Sequence, residues 1–322
     1  VPAALQQTLG GGLRVKRKMP SAAVIRANIW KNRYIYLMIL PVVAYFAIIH
    51  YWAMGWLSIS FYDFKLLRGF AGSKFVGLAN FEKFISGVNF WPVIKNTLLL
   101  NFYTLLFYFP VPVIFALLLN EIKSTKYKRV VQTISYMPHF LSAVVLVSML
   151  NIMLSPSVGF VNGFLKALGL DSIYFMGDAK YFRGVYVGSM IWQETGWAAI
   201  TYISALAGID QSLYEAARID GAGKFKQIWH VSLPGIRETI ILLLIMRVGN
   251  MVNLTFEKPY LMQNALNTSV SEVLSTYTYK IGMVRGNYSQ ATAIGLFSSL
   301  VSLVFVLGAN YLSNKVTETS LF

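Results

Sequence analysis

Glu194 and Arg247 are ionisable residues near the middle of long apolar runs. Charge at such depth in a membrane protein is costly, and it usually lines a pathway or pairs with an opposite charge. Asn250 and Asn253 follow Arg247 at three-residue steps, which would put all three on roughly one helical face. Amides beside aromatic platforms suit sugar hydroxyls, and Trp192, Trp197 and Tyr202 lie close to Glu194 in the chain. Trp192, Glu194, Arg247, Asn250 and Asn253 therefore read as candidate lining for a polar substrate path. The structural alternative is a buried Glu194–Arg247 pair that fixes helix packing. Arg247, Lys258, Lys280 and Arg285 would favour an acidic substrate, but Glu257 and Glu272 stand among them. Residue types alone leave acidic and neutral substrates both open.

Other chemistries are poorly served. The segment Gly221-Ala-Gly-Lys224 suggests a phosphate-binding loop, but Phe225 stands where Ser or Thr would hold magnesium. The chain itself is not expected to hydrolyse ATP. His50, His139 and His230 are scattered, with no spacing to one another that would gather a metal. They offer no Ser–His–Asp set either. With no cysteine there is no disulfide framework, thiolate zinc site or iron–sulfur cluster.

The elements that must position these residues are membrane helices. The chain of 322 residues is 56% hydrophobic and only 13% charged, where an average soluble domain is about 25% charged. A hydrocarbon core about 30 Å thick needs about 20 apolar residues in a helix. Six segments approach that length: residues 34–57, 97–119, 132–154, 184–207, 236–256 and 290–312. The expectation is an all-α integral membrane protein with a basic segment over residues 1–33, a six-helix domain over residues 34–312 and a short tail over residues 313–322. The first apolar run is too long for a cleaved leader. Pro41, Pro110 and Pro112 fall inside expected spans and predict bends. Gly184 and Gly188 have the spacing of a close helix contact.

The formal charge of +15 could suggest nucleic acid, but seven Lys or Arg lie between Arg14 and Arg33, beside the first span, with no acid among them. That is an orientation signal, and no nucleic-acid partner is expected. Lys plus Arg count 15 on the N-terminal side of the six spans and 11 on the other, which puts both termini in the cytoplasm. Outside, residues 80–85 read as a short capped amphipathic helix, and helix-forming sequence recurs around residues 271–280.

One cytoplasmic loop, residues 212–235, stands apart. Leu213 to Arg218 forms helix readily, Asp220-Gly221 signals a turn, and a second helical stretch runs through Phe225, Ile228 and Trp229 to Leu233-Pro234. A helix–turn–helix outside the membrane, with an apolar face, suits docking into a groove of another protein. Glu215, Ala216, Ala217, Gly221, Val231, Leu233 and Pro234 also match the EAA pattern (EAA, three residues, Gly, nine residues, Ile, one residue, Leu-Pro), with Val for Ile at position 231. On these residues the chain resembles the permease subunits of binding-protein-dependent ABC importers, of the type I fold. Residues 134–140 (Ile-Ser-Tyr-Met-Pro-His-Phe), 191–196 (Ile-Trp-Gln-Glu-Thr-Gly) and 288–297 resemble the sugar-importing branch that handles complex oligosaccharides.

The resemblance implies an oligosaccharide moved from periplasm to cytoplasm across the bacterial inner membrane, an acidic one such as alginate included. It implies two ATPase subunits, which carry the ATP and magnesium, a second and distinct EAA-type permease, a periplasmic solute-binding protein and surrounding lipid, with no cofactor on this chain. The EAA helix would be the coupling helix seated on an ATPase. Glu215 and Asp220 would supply charge contacts, Gly221 the tight turn, and Leu233 and Pro234 the exit. An ion-driven secondary transporter is the alternative. It would favour an internal inverted repeat and embedded carboxylates; no repeat is evident, and Glu194 is the one clearly central acid. A membrane enzyme would want acidic or histidine clusters at a membrane face, and the sequence has none.

Overall fold

Apolar runs that cannot expose backbone to lipid must fold into helices, and the computed structural model, which describes residues 30–317, is built from them. Most of the basic N-terminal segment and the last five residues of the tail lie outside the described residues. Helical backbone runs over Arg33–Phe61. Its part up to Trp56 belongs to a unit of its own, and the helix Arg33–Tyr45 buries none of its side chains.

The second unit, Leu57–Phe322, contains the core. Its centre is the 29-residue helix Ala179–Ala207. Against this helix pack Pro110–Asn120, Thr125–Tyr136 and part of Arg237–Gly249, and Arg237–Gly249 also lies along the last helix, Tyr288–Thr317. One buried cluster joins Leu100, Val147, Phe182, Tyr186 and Met262. A second joins Phe84, Val93, Leu274, Tyr277 and Ile294. A third joins Val113, Ala116, Leu117, Tyr202, Leu206 and Ile236. Lipid is as apolar as these side chains, so close packing is what holds helices together. A Cβ on Gly196 would fall 2.1 Å from the Ser135 carbonyl oxygen, and one on Gly249 would fall 2.2 Å from Val306. Gly184 and Gly188 have nothing within 4 Å and make no such contact.

Three described helices are long and apolar enough to cross a membrane: Arg33–Phe61, Phe90–Asn120 and Tyr288–Lys315. The expected third span is not one helix. Thr125–Phe140 and Ala143–Met153 meet at a 99° bend. Pro138 supplies no backbone donor there, Leu141 is extended, and Ser142 caps the next helix by accepting from the Val145 N–H. The expected fourth span forms one helix, with Gln193 and Glu194 at its middle. The expected fifth ends early, at Gly249, after 13 residues. At about 1.5 Å per residue that is shorter than the hydrocarbon core. The chain then unwinds through residues 250–256 before the short helix Glu257–Met262.

Pro110 does not break its span. A π-helical turn, Thr104–Tyr108, precedes it, the Phe109 N–H bonds to the Thr104 carbonyl, and the helix continues to Asn120. Outside the spans, an antiparallel pair, Tyr62–Lys65 with Gly69–Phe75, departs from the all-α expectation. The helix Ala79–Ile85 forms as expected, but Asn80 does not cap it and donates instead to the Ser60 and Tyr62 carbonyls. Leu274–Tyr279 is the helix expected near residue 275.

The Gly196 contact sets a direct test. Gly196→Ala is expected to cost about 1–3 kcal/mol, read as a lower thermal unfolding midpoint in detergent, while Gly184→Ala leaves the midpoint unchanged.

Candidate functional site

The loop after the central helix folds as two short helices locked across one turn. Asp210 caps Gln211–Ile219, its Oδ1 accepting from the Ser212 N–H at 2.9 Å. Hydrogen bonds from the Ser212 backbone and side chain hold the Asp210 carboxyl below its ordinary range. The helix stops at Gly221, whose φ of +75° is left-handed and favours glycine. The Ala222 N–H reaches back to the Ala217 carbonyl at 2.8 Å and the Gly221 N–H to Arg218 at 3.0 Å, which closes a Schellman turn. Gly223 then caps Lys224–Gln227, which continues through the π-helical turn Ile228–Ser232 into Leu233–Gly235.

Two side-chain links make one piece of this loop, and a third ties it to a neighbouring helix. The Tyr214 and Ser232 hydroxyls meet at 2.9 Å in buried surroundings. Gln227 Nε2 donates to the Ala222 carbonyl at 2.7 Å. Lys224 forms an ion pair with Glu121, at the end of the helix Pro110–Asn120. Val231 and Leu233 are half-buried, and Leu233 packs on the cluster around Leu206 and Ile236. The outer face is bare: Glu215, Ala216, Asp220, Gly221 and Pro234 are exposed, as are Leu213 at 53% and Ile219 at 87%. Two large apolar side chains in the open on one short helix are unusual unless another surface covers them.

A second polar centre lies within the membrane-spanning part. Glu194 Oε2 is 2.7 Å from His139 Nδ1, and the His139 ring stacks on Trp197 at 4.4 Å. The expected Glu194–Arg247 pair is therefore replaced by Glu194–His139. The histidine comes from the turn Met137–Phe140, seated on the central helix where Gln193 Nε2 donates to the Leu141 carbonyl. Two stretches singled out for resemblance, around residues 134–140 and 191–196, thus meet at this bend. His139 was set aside in the sequence for want of a partner at any regular spacing, and its quoted motif was the available signal.

Arg247, Asn250 and Asn253 do not share a helical face, because the helix ends at Gly249. The Asn250 side chain caps it by donating to the Met246 carbonyl at 3.0 Å. Asn253 turns to the last helix, donating to Ser302 Oγ at 3.0 Å and accepting from Ser298 Oγ at 2.7 Å. The Arg247 guanidinium stands 6.0 Å from the centre of the Tyr108 ring, and its Nη2 is buried without a hydrogen-bond partner among the described residues. Trp192 is exposed, about 200° around the central helix from Glu194.

Comparison with known proteins follows this geometry. Residues 109–318 match the family model described as binding-protein-dependent transport system inner membrane component. The chain is 43% identical to Protein LplB of Bacillus subtilis over 92% of this chain and 93% of that one. It is 40% identical to the polygalacturonan/rhamnogalacturonan transport system permease protein YteP of the same species, over 91% of each. Among solved structures, a chain of the bacterial alginate ABC transporter in complex with alginate pentasaccharide-bound periplasmic protein matches with a TM-score of 0.84 and 37% identity, over 92% of this chain and 99% of that one. A second structure, of an ABC transporter importing the acidic polysaccharide alginate, matches as well, at 0.84 and 37%. Nothing in these matches supports the ion-driven alternative.

The Asn253 bonds predict a stability effect. Asn253→Ala leaves Ser298 and Ser302 without their partner and should cost about 1–3 kcal/mol, whereas Asn250→Ala removes only an exposed cap and should cost less. Thermal unfolding of both variants in detergent checks the order.

Proposed function

This chain belongs to the family of binding-protein-dependent transport system inner membrane components, and from that premise we propose that it is a permease subunit of an ABC importer for oligosaccharides. The observation that carries the reading is the loop of residues 212–235: a rigid helix pair with the EAA residues in register and an uncovered apolar face. A helix that presents Leu213, Ala216 and Ile219 along one side fits a groove lined by apolar residues. Glu215 and Asp220 at its edge supply charge, and Gly221 lets the second helix fold back directly. The partners are two ATPase subunits that bind ATP and magnesium, a second permease and a periplasmic solute-binding protein. The chain itself binds no cofactor and catalyses no reaction.

On this reading, closure of the ATPases moves the loop as a unit. Lys224–Glu121 carries that displacement to the helix Pro110–Asn120, and Leu233 carries it to the core around Ile236. With the loop in the cytoplasm, both ends of the chain lie there too. The relatives support oligosaccharide as the cargo class, and the solved importers extend that class to the acidic polysaccharide alginate.

Ile219 separates docking from folding, because it is 87% exposed. Ile219→Asp is expected to leave the chain inserted and folded but to reduce the ATPase that co-purifies in mild detergent, and uptake with it. Gly221→Asp is expected to stop uptake as well, since a left-handed residue with a Cβ costs about 1–2 kcal/mol and changes the angle of the turn. Unchanged ATPase recovery and uptake in both would sink the coupling role.

A further inference from the structure

The four cations that could favour an acidic substrate have different fates. Lys280 is held by Glu272 at 2.7 Å. Arg285 is exposed in the turn before the last helix. Arg247 and Lys258 have no counter-ion in contact among the described residues. Lys258 is only 8% exposed, and its Nζ finds no hydrogen-bond partner among the described residues. Its ammonium lies 5.3 Å from the centre of the Tyr186 ring. Arg247 is within Coulomb reach of the same tyrosine and has a buried, unpartnered Nη2. Glu194 acts on Lys258 at range, and its carboxylate is already engaged by His139.

An ammonium stripped of water keeps three unused donors, and attraction to an aromatic face returns only part of the lost hydration. Such a group belongs where a ligand supplies the missing acceptors. Its position points the same way. Arg247 stands just before, and Lys258 just after, the unwound residues 250–256. Irregular backbone at membrane depth is tolerated where it is buried in protein or faces a water-filled cavity. Asn250, Asn253 and Thr255 in this stretch are exposed, and Thr255 meets the Tyr186 side chain. Exposed polar side chains thus stand in the chain between two cations with unfilled donors.

We propose that Lys258, assisted by Arg247, binds the carboxylate of a uronic-acid residue as the cargo passes the unwound segment, and so selects acidic over neutral oligosaccharides. This rests on the importer reading above and names the cargo class for it. Lys258 is the specificity-determining residue. Arg247 adds a second donor to the same charge, and the buried Tyr186 ring holds the Lys258 ammonium in place.

The test uses the whole complex, this chain with its second permease, both ATPases and binding protein, in proteoliposomes. The probes are a uronate trisaccharide and its carboxyl-reduced, neutral counterpart. Lys258→Gln is expected to raise the KM for the uronate by about tenfold or more, the scale of one charge-assisted hydrogen bond, and to change the neutral sugar little. Lys258→Arg is expected to keep most of the uronate preference, which guards against a merely misfolded variant. Uronate uptake unchanged in Lys258→Gln, or both sugars falling equally, overturns the proposal. An assembled, ATP-hydrolysing complex that moves neither sugar also overturns it and leaves the permease role standing. Failure of this chain to assemble with any ATPase overturns the permease reading, and the proposal with it.

Discussion

Every backbone polar group inside a membrane protein needs a partner within the protein, and here buried amide side chains meet that need wherever a helix is interrupted. At the bend of the third segment, Gln193 donates to the Leu141 carbonyl. In the unwound segment, Asn101 donates to the Met251 carbonyl at 2.8 Å. Outside, Asn96 donates to the Ser269 and Glu272 carbonyls, and Asn267 to those of Met176 and Met262. All four amides are at least nine-tenths buried. Leaving one buried carbonyl unmatched would cost about 1–3 kcal/mol, so each amide decides whether its irregular segment can exist. The broken helices follow from that constraint.

The same constraint shapes how displacement passes through the molecule. A continuous helix transmits a push along its axis, but one broken at fixed points can turn at those points. The chain has such points at residues 141–142 and 250–256, each tied to neighbouring helices by amide side chains. The loop of residues 212–235 is built in the opposite way. Its turn is closed by backbone bonds at Gly221 and its two helices by Tyr214–Ser232 and Gln227–Ala222. A stiff lever therefore joins helices that have built-in joints.

The stiff part was legible in the sequence. Asp220-Gly221, the EAA register and Leu233-Pro234 are local signals, and local geometry satisfies them. Four of the six expected spans are single helices, and for three of them hydropathy reads length and apolarity directly. The 99° bend was not legible, because an apolar window counts residues and ignores direction. Pro138 and Ser142 were the only local marks of it. The early end of the fifth helix was hidden too. Helical periodicity put Arg247, Asn250 and Asn253 on one face, but partners distant in the chain, Ser298 and Ser302 for Asn253 and the Met251 bond from Asn101, stabilise the unwound form instead. The partner of Glu194 lies 55 residues away, beyond any spacing rule.

That last misreading has a physical consequence for the charge balance. Had Glu194 paired with Arg247, one of the two buried cations would have a counter-ion in contact, and such a pair often contributes little net stability once desolvation is counted. With His139 as its partner, Glu194 instead joins the bent segment to the central helix, beside the close contact of Gly196 with Ser135. The stacked Trp197 screens that pair from one side. Arg247 and Lys258 are left as excess positive charge near Tyr108 and Tyr186. Tyrosine faces are weak counter-charges, worth about 2 kcal/mol at best for a desolvated cation. The protein therefore tolerates an electrostatic deficit at a place where its backbone is also unwound. Two independent costs in one location are easier to explain by what passes there than by the needs of the fold.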